Sequence, residues 1–235
     1  MGYGYGFYFD PTYFLVIIGV VLSLLASAKV KSTFAKYSRV RSMSGYTGAE
    51  AAQRILQSSG IYDVRVEHIR GDLNDHYDPR TKVLRLSDSV YNQTSVAAIG
   101  VAAHECGHAI QHATGYVPLQ IRSAIVPIAN IGANISWPLI LLGIFLGNAG
   151  GIFIQLGILF FSAAVLFQLV TLPVEFNASA RAVRILGDSG ILYNSEVSQT
   201  KKVLKAAALT YVAAAAGSVL QLLRLLLLFG GRDRD

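Results

Sequence analysis

Residues 123–174 read SAIVPIANIGANISWPLILLGIFLGNAGGIFIQLGILFFSAAVLFQLVTLPV, 52 consecutive positions with no Asp, Glu, Lys, Arg or His. A membrane helix needs about 20 apolar residues, so the run predicts two spans joined by a turn. The turn is Gly147-Asn148-Ala149-Gly150-Gly151, because each glycine would cost a continuous helix roughly 1 kcal/mol. Trp137-Pro138 interrupts the first limb, as membrane helices allow. The stretch is therefore a hairpin that leaves one face of the bilayer after Arg122 and comes back to that face just before Glu175.

Composition agrees with this reading. The 235 residues are 53% hydrophobic and only 14% charged, with a mean hydropathy of +0.46, greasier than a soluble domain of this size requires. Charge-free stretches of this kind set aside disorder and nucleic-acid binding, and the net charge of +6 suits anionic lipid. Cys106 is the single cysteine, so no intramolecular disulfide forms.

Tyr13–Ala28 also lacks charge, which predicts a first span over 12–28. Ala26-Ser27-Ala28 has the small-x-small form of a cleavage site, but a secretory signal carries its positive charge ahead of the apolar run. Here Asp10 precedes, and Lys29, Lys31, Lys36, Arg39 and Arg41 follow. An uncleaved anchor with the amino terminus outside is the favoured reading, and a cleaved signal is the alternative. Ala206–Phe229 follows Lys201, Lys202 and Lys205 and reads as a fourth span over 206–229, with Arg224 snorkelling at its far end. The competing reading of that run is a helix packed on the polar unit. Gly2–Phe9, rich in Tyr, Gly and Phe, reads as an interfacial lead-in.

The polar parts lie at 29–122 and 175–205. Thr47-Gly48-Ala49-Glu50 has the capping-box form and predicts a helix that stops at Gly60. Val64–Ile69 and Lys82–Leu86 read as strands of a small sheet, with turn chemistry at Asp75-His76-Tyr77-Asp78-Pro79 between them. Lys82–Leu86 is the candidate edge for pairing with an extended peptide. From Ser95, an almost wholly apolar run leads into His104, so this helix is buried on most sides.

That helix carries His104-Glu105-Cys106-Gly107-His108, the H-E-x-x-H arrangement. Histidines four apart share one helical face, where two imidazoles can converge on a zinc ion. Glu105, on an adjoining side of the turn, can take a proton from the zinc-bound water. Cys106 is offset from the histidine face and is expected to pack against the sheet. A catalytic zinc needs a third protein ligand. His112 continues the spacing but lies about 12 Å from His104 along the axis, at about 1.5 Å per residue, so it is assigned to a supporting or surface position. Glu175 is the better candidate, since the hairpin returns it to the face where the histidines sit; the alternative is a residue that merely marks the interface. Ser179, one helical turn further, could hydrogen-bond a metal-ligating group. His68 and His76 read as turn or surface residues, and Arg181 and Arg184 as headgroup-facing, with transition-state roles as the alternative.

Two motifs, His104-Glu105-Cys106-Gly107-His108-Ala109-Ile110-Gln111 and Glu175-Phe176-Asn177-Ala178-Ser179, resemble those of the YugP-like neutral zinc metallopeptidases of bacteria. The resemblance runs from the first anchor to the last apolar run. More distantly, the chain is similar to the HtpX-type and CAAX-prenyl-endopeptidase gluzincins, in which an aspartate stands where this chain has Ser179. The resemblance implies a His104, His108, Glu175 zinc site and proteolysis on the cytoplasmic side.

The expected architecture is an α+β, mostly helical integral membrane protein, with a zincin-like H-E-x-x-H helix and small sheet packed on a transmembrane bundle. The expected function is a zinc-dependent endopeptidase of the cell membrane acting on peptides or membrane proteins, with a zinc-bound water activated by Glu105. A membrane scaffold or regulatory subunit with a structural zinc, within a larger assembly, is the alternative. Metal transport is a third possibility, which the charge-free hairpin opposes.

Overall fold

The computed structural model describes residues 10–230, so the aromatic lead-in and the last charged residues lie outside the description. The elements in order are α1 (Tyr13–Tyr37), α2 (Gly48–Ser58), β1 (Arg65–His68), β2 (His76–Asp78), β3 (Val83–Leu86), α3 (Val96–Ala113), α4 (Val117–Phe145), a short 3-10 turn (Gly147–Gly150), α5 (Gly151–Asp188) and α6 (Asn194–Phe229). The protein is thus mostly helical with one small sheet. Helices α1, α4, α5 and α6 are each long and apolar enough to cross a membrane.

The chain divides into two compact units. One is formed by Ile125–Leu169 with the outer parts of α1 and α6. In it the α4–α5 connection is the glycine-rich turn at 147–150, where a helix loses least by breaking. Pro138 does not interrupt α4, which runs unbroken to Phe145. Helices α4 and α5 meet backbone to backbone: a Cβ on Gly132 would lie 2.5 Å from the Phe160 carbonyl oxygen, and one on Gly157 would lie 2.8 Å from that of Ser136. Small residues permit this approach, which in lipid replaces hydrophobic driving force with close packing. Arg224 pairs with Asp10 (3.5 Å), donates to Thr12 Oγ1 (3.2 Å) and lies 4.2 Å from the centre of the Tyr13 ring. This partly buried guanidinium is held by partners at the start of α1, which answers its desolvation locally.

The second unit comprises Ala26–Ala124 and Val170–Tyr211. Thr47 caps α2 with the reciprocal Glu50 bonds of a capping box, and the helix gives way at Ser59 to Gly60, whose φ is +73°, a left-handed conformation that glycine adopts without a Cβ penalty. Ile55, Leu56, Leu84, Leu86, Ile99 and Leu186 form a core with essentially no exposure.

The sheet order is β1-β3-β2, with β1 parallel and β2 antiparallel to β3. Strand β3 is therefore the middle strand and not an edge, so its backbone is already paired on both sides. Its hydrophobicity reflects burial. The expected turn at Asp75–Pro79 is also displaced, since His76–Asp78 is strand. Asp75 is pinned before it, accepting from Ser87 N (2.7 Å) and Ser87 Oγ (3.0 Å). The turn follows instead, with Asp78 accepting from Arg80 N and Thr81 Oγ1 and Lys82 at φ +52°.

Candidate metal centre

Helix α3 starts at Ser95, whose hydroxyl accepts from Ala98 N, and then presents Val101, His104, Glu105 and His108 at intervals of three and four, along one face. From Val96 to Gln111 the residues on its other sides are buried. Cys106 packs into the core, its Sγ 3.5 Å from the Ala52 carbonyl oxygen on α2. The thiol shares this core with Leu84 and Leu86 of the sheet as well as with α2, and burial, with the Glu105 charge adding, pushes its pKa well up. That is an inert environment for a thiol.

The glycine between the cysteine and the second histidine has a tertiary role. A Cβ on Gly107 would stand 2.6 Å from the Ala178 carbonyl oxygen, so α3 and α5 touch backbone to backbone at this level. This approach brings Glu175, one turn before Ala178, against the two imidazoles. Glu175 Oε2 lies 3.2 Å from His104 Nε2 and 3.5 Å from His108 Nε2, with the carboxylate 3% exposed. Ligands bound tetrahedrally at about 2.0–2.1 Å from zinc stand roughly 3.3 Å from one another. All three donor atoms lie within 4.8 Å of each other. Two imidazole nitrogens and a carboxylate oxygen at this spacing fit a zinc ion in both chemistry and geometry.

The far side of each histidine is also held. Ser179 Oγ is 3.1 Å from His104 Nδ1, the contact the one-turn spacing from Glu175 suggests. His108 Nδ1 is 3.0 Å from Gln111 Oε1. Gln111 is fully buried, and its Nε2 donates to the Val174 carbonyl (2.8 Å) and to Asn177 Oδ1 (3.0 Å), which also accepts from Arg181 Nε (2.8 Å). Every direction in this chain follows from the arginine, which can only donate. Asn177 must accept, Gln111 must turn its oxygen to His108, and His108 must carry its proton on Nδ1. Nε2 is thereby left with its lone pair toward Glu175 and a metal. Replacing Gln111 with alanine should weaken zinc binding about 10–100-fold, read by competition with a chromogenic chelator; unaltered affinity would mean that something else orients His108.

His112 is directed elsewhere, its Nδ1 2.9 Å from the Tyr77 hydroxyl. His68 engages Asp88 (2.7 Å), and His76 sits 2.9 Å from the Asn74 carbonyl. None of the three joins the cluster. Arg122, in contrast, reaches Glu175 Oε1 at 3.4 Å; Arg181 donates through Nε to Asn177, and neither Arg181 nor Arg184 lines the cleft beside the cluster.

A cleft of about 260 Å³ opens beside the cluster, with His104, Glu105, Glu175 and Ser179 in its wall. Asp75 and Tyr211 line it too. Burial raises the Asp75 carboxyl above its ordinary range, with Glu105 adding repulsion and the Ser87 bonds opposing. Tyr211 hydrogen-bonds Glu175. Three participants were not read from the sequence. Gln111 and Asn177 had a signal, amide residues inside the two motifs, and Tyr211 had a weaker one, a phenol in a run of alanines and leucines.

The fold and the site together define a mostly helical protein with four helices that could cross a membrane and a His–His–Glu cluster that could hold a metal ion. More particularly, it belongs to the family described as "Putative neutral zinc metallopeptidase", whose model matches residues 12–230. It is 52% identical over 223 residues, 94% of this chain and 98% of the relative, to the "Putative membrane protease YugP" of Bacillus subtilis (strain 168). No solved structure matches the chain.

Proposed function

We propose that this protein is a zinc-dependent endopeptidase of the cell membrane, hydrolysing peptide bonds in peptides or membrane proteins. The observation that carries the reading is the convergence of the His104, His108 and Glu175 donors, all within 4.8 Å of one another, beside Glu105 in an open cleft. When bound, zinc polarises a scissile carbonyl and brings the pKa of water down to about 7. Glu105 accepts the proton of the attacking water and passes it to the leaving amine. Its position one residue after His104 keeps it within the same cleft wall. Ser179 and Gln111 keep the two imidazoles turned with Nε2 inward, so no reorientation is needed during turnover. Arg122 and the hydroxyl of Tyr211, which hydrogen-bonds the carboxylate, offset the buried Glu175 charge.

The proposed organisation has spans at 12–28, 123–174 (a hairpin) and 206–229, with the parts at 29–122 and 175–205 in the cytoplasm and the start of the first span outside. The basic residues after Ala28 and before Ala206 support that orientation. A scaffold with a structural zinc fits less well, because structural sites are closed by four protein ligands, and here three donors border a cleft. Removing the metal from purified protein should abolish peptide cleavage, and returning one equivalent of zinc should restore it. Protein holding stoichiometric zinc that cleaves nothing across a broad peptide panel would overturn the reading in favour of the scaffold.

A further inference from the structure

The wall of the cleft is apolar as well as polar. Phe34 from α1, Val101 one turn before His104, and Val203, Leu204 and Ala207 from α6 give the same cleft an apolar lining. The lysines near these positions on α6, Lys201, Lys202 and Lys205, are exposed, away from it. An apolar cavity of about 150 Å³ is enough to hold a benzene ring. A volume of about 260 Å³ therefore houses one large apolar side chain and leaves roughly three to four water volumes, at about 30 Å³ each, for the carbonyl and the attacking water. A charged side chain placed against these apolar residues would lose hydration.

We infer that the Phe34–Val101–Val203–Ala207 lining is the specificity pocket of the site and takes a leucine- or phenylalanine-sized side chain adjoining the scissile bond, which makes the substrates apolar peptide segments. The inference rests on the endopeptidase reading for its chemistry, but the binding it requires does not depend on turnover. The hydroxamate or carbonyl end of a ligand would meet the metal cluster, and its apolar group the apolar lining. Ala207 is the residue best placed to set pocket depth, because it combines the smallest side chain with partial exposure to the cleft. Val101 lines the cleft from α3.

The test uses full-length, zinc-loaded protein in detergent and a set of quenched fluorescent peptides differing at one position, Leu, Phe, Ala, Gly, Asp or Lys. Cleavage by the wild type is measured beside binding of the same peptides to Glu105→Gln, by anisotropy. Leu and Phe should exceed Gly, Asp and Lys by at least about tenfold in both measurements, given that a single methylene in such a pocket discriminates about 10–200-fold. Ala207→Leu should shift the ratio toward Ala, and Val101→Ala toward Phe, with zinc content per chain checking that each variant is folded. Cleavage or binding with no apolar preference overturns the pocket while leaving the protease reading intact. Apolar-selective binding without any cleavage supports the pocket and overturns the protease reading. Absence of both overturns both.

Discussion

Glutamine at position 105 is expected to leave about one zinc per chain and to lower kcat about 10²–10⁴-fold, the usual contribution of a positioned general base. The substitution keeps size and removes only the ability to accept a proton. Glu105 is buried to 8% exposure in the cleft wall and does not belong to the donor set of His104, His108 and Glu175, so the metal should be indifferent to its charge at first order. The measurement is metal content together with kcat and KM on a cleaved peptide. Full activity in Glu105→Gln would move the base elsewhere, with Asp75, a cleft carboxyl whose pKa burial raises, the next group to replace.

Glu175→Ala should act on the metal itself. The carboxylate supplies one of three donors and lies against His104, His108 and Arg122. Its removal leaves two imidazoles and an unpaired, partly buried guanidinium, and truncating one partner of a buried charge pair costs about 3–5 kcal/mol. Loss of zinc below stoichiometry is expected, with activity lost in proportion. Glu175→Gln separates the contributions, since its amide oxygen can still approach the metal without charge; intermediate affinity is the expected result. Wild-type zinc content in Glu175→Ala would remove this residue from the donor set and send the search for a third ligand to other groups lining the cleft.

The two predictions differ in how far sequence carried them. His104, Glu105 and His108 are a local pattern, and four-residue spacing on a helix suffices to bring both imidazoles to one face. The capping box at Thr47–Glu50 and the glycine break near 147–150 are local in the same sense, and the structure contains both. Strand order was not legible. Lys82–Leu86 has strand chemistry whether it lies at an edge or in the middle, and the pairing that puts β3 between β1 and β2 depends on what flanks it. The displaced turn at Asp78 shows a related limit, because Asp75 looks like turn chemistry until its carboxylate is seen bonded to Ser87, twelve residues away.

By itself, then, the sequence determined the four apolar runs, the helix that carries both histidines, and the residue types from which a zinc site can be built. Tertiary structure alone decided which of them meet. Glu175 reaches His104 across 71 positions because Gly107 lets α3 and α5 touch at Ala178, and the Arg181–Asn177–Gln111–His108 chain exists only once those helices are packed. The physical reason is range. Helix periodicity, capping and hydropathy act within a few residues along the chain, whereas ligand convergence, hydrogen-bond direction and the shape of a cleft are properties of surfaces that come together only on folding.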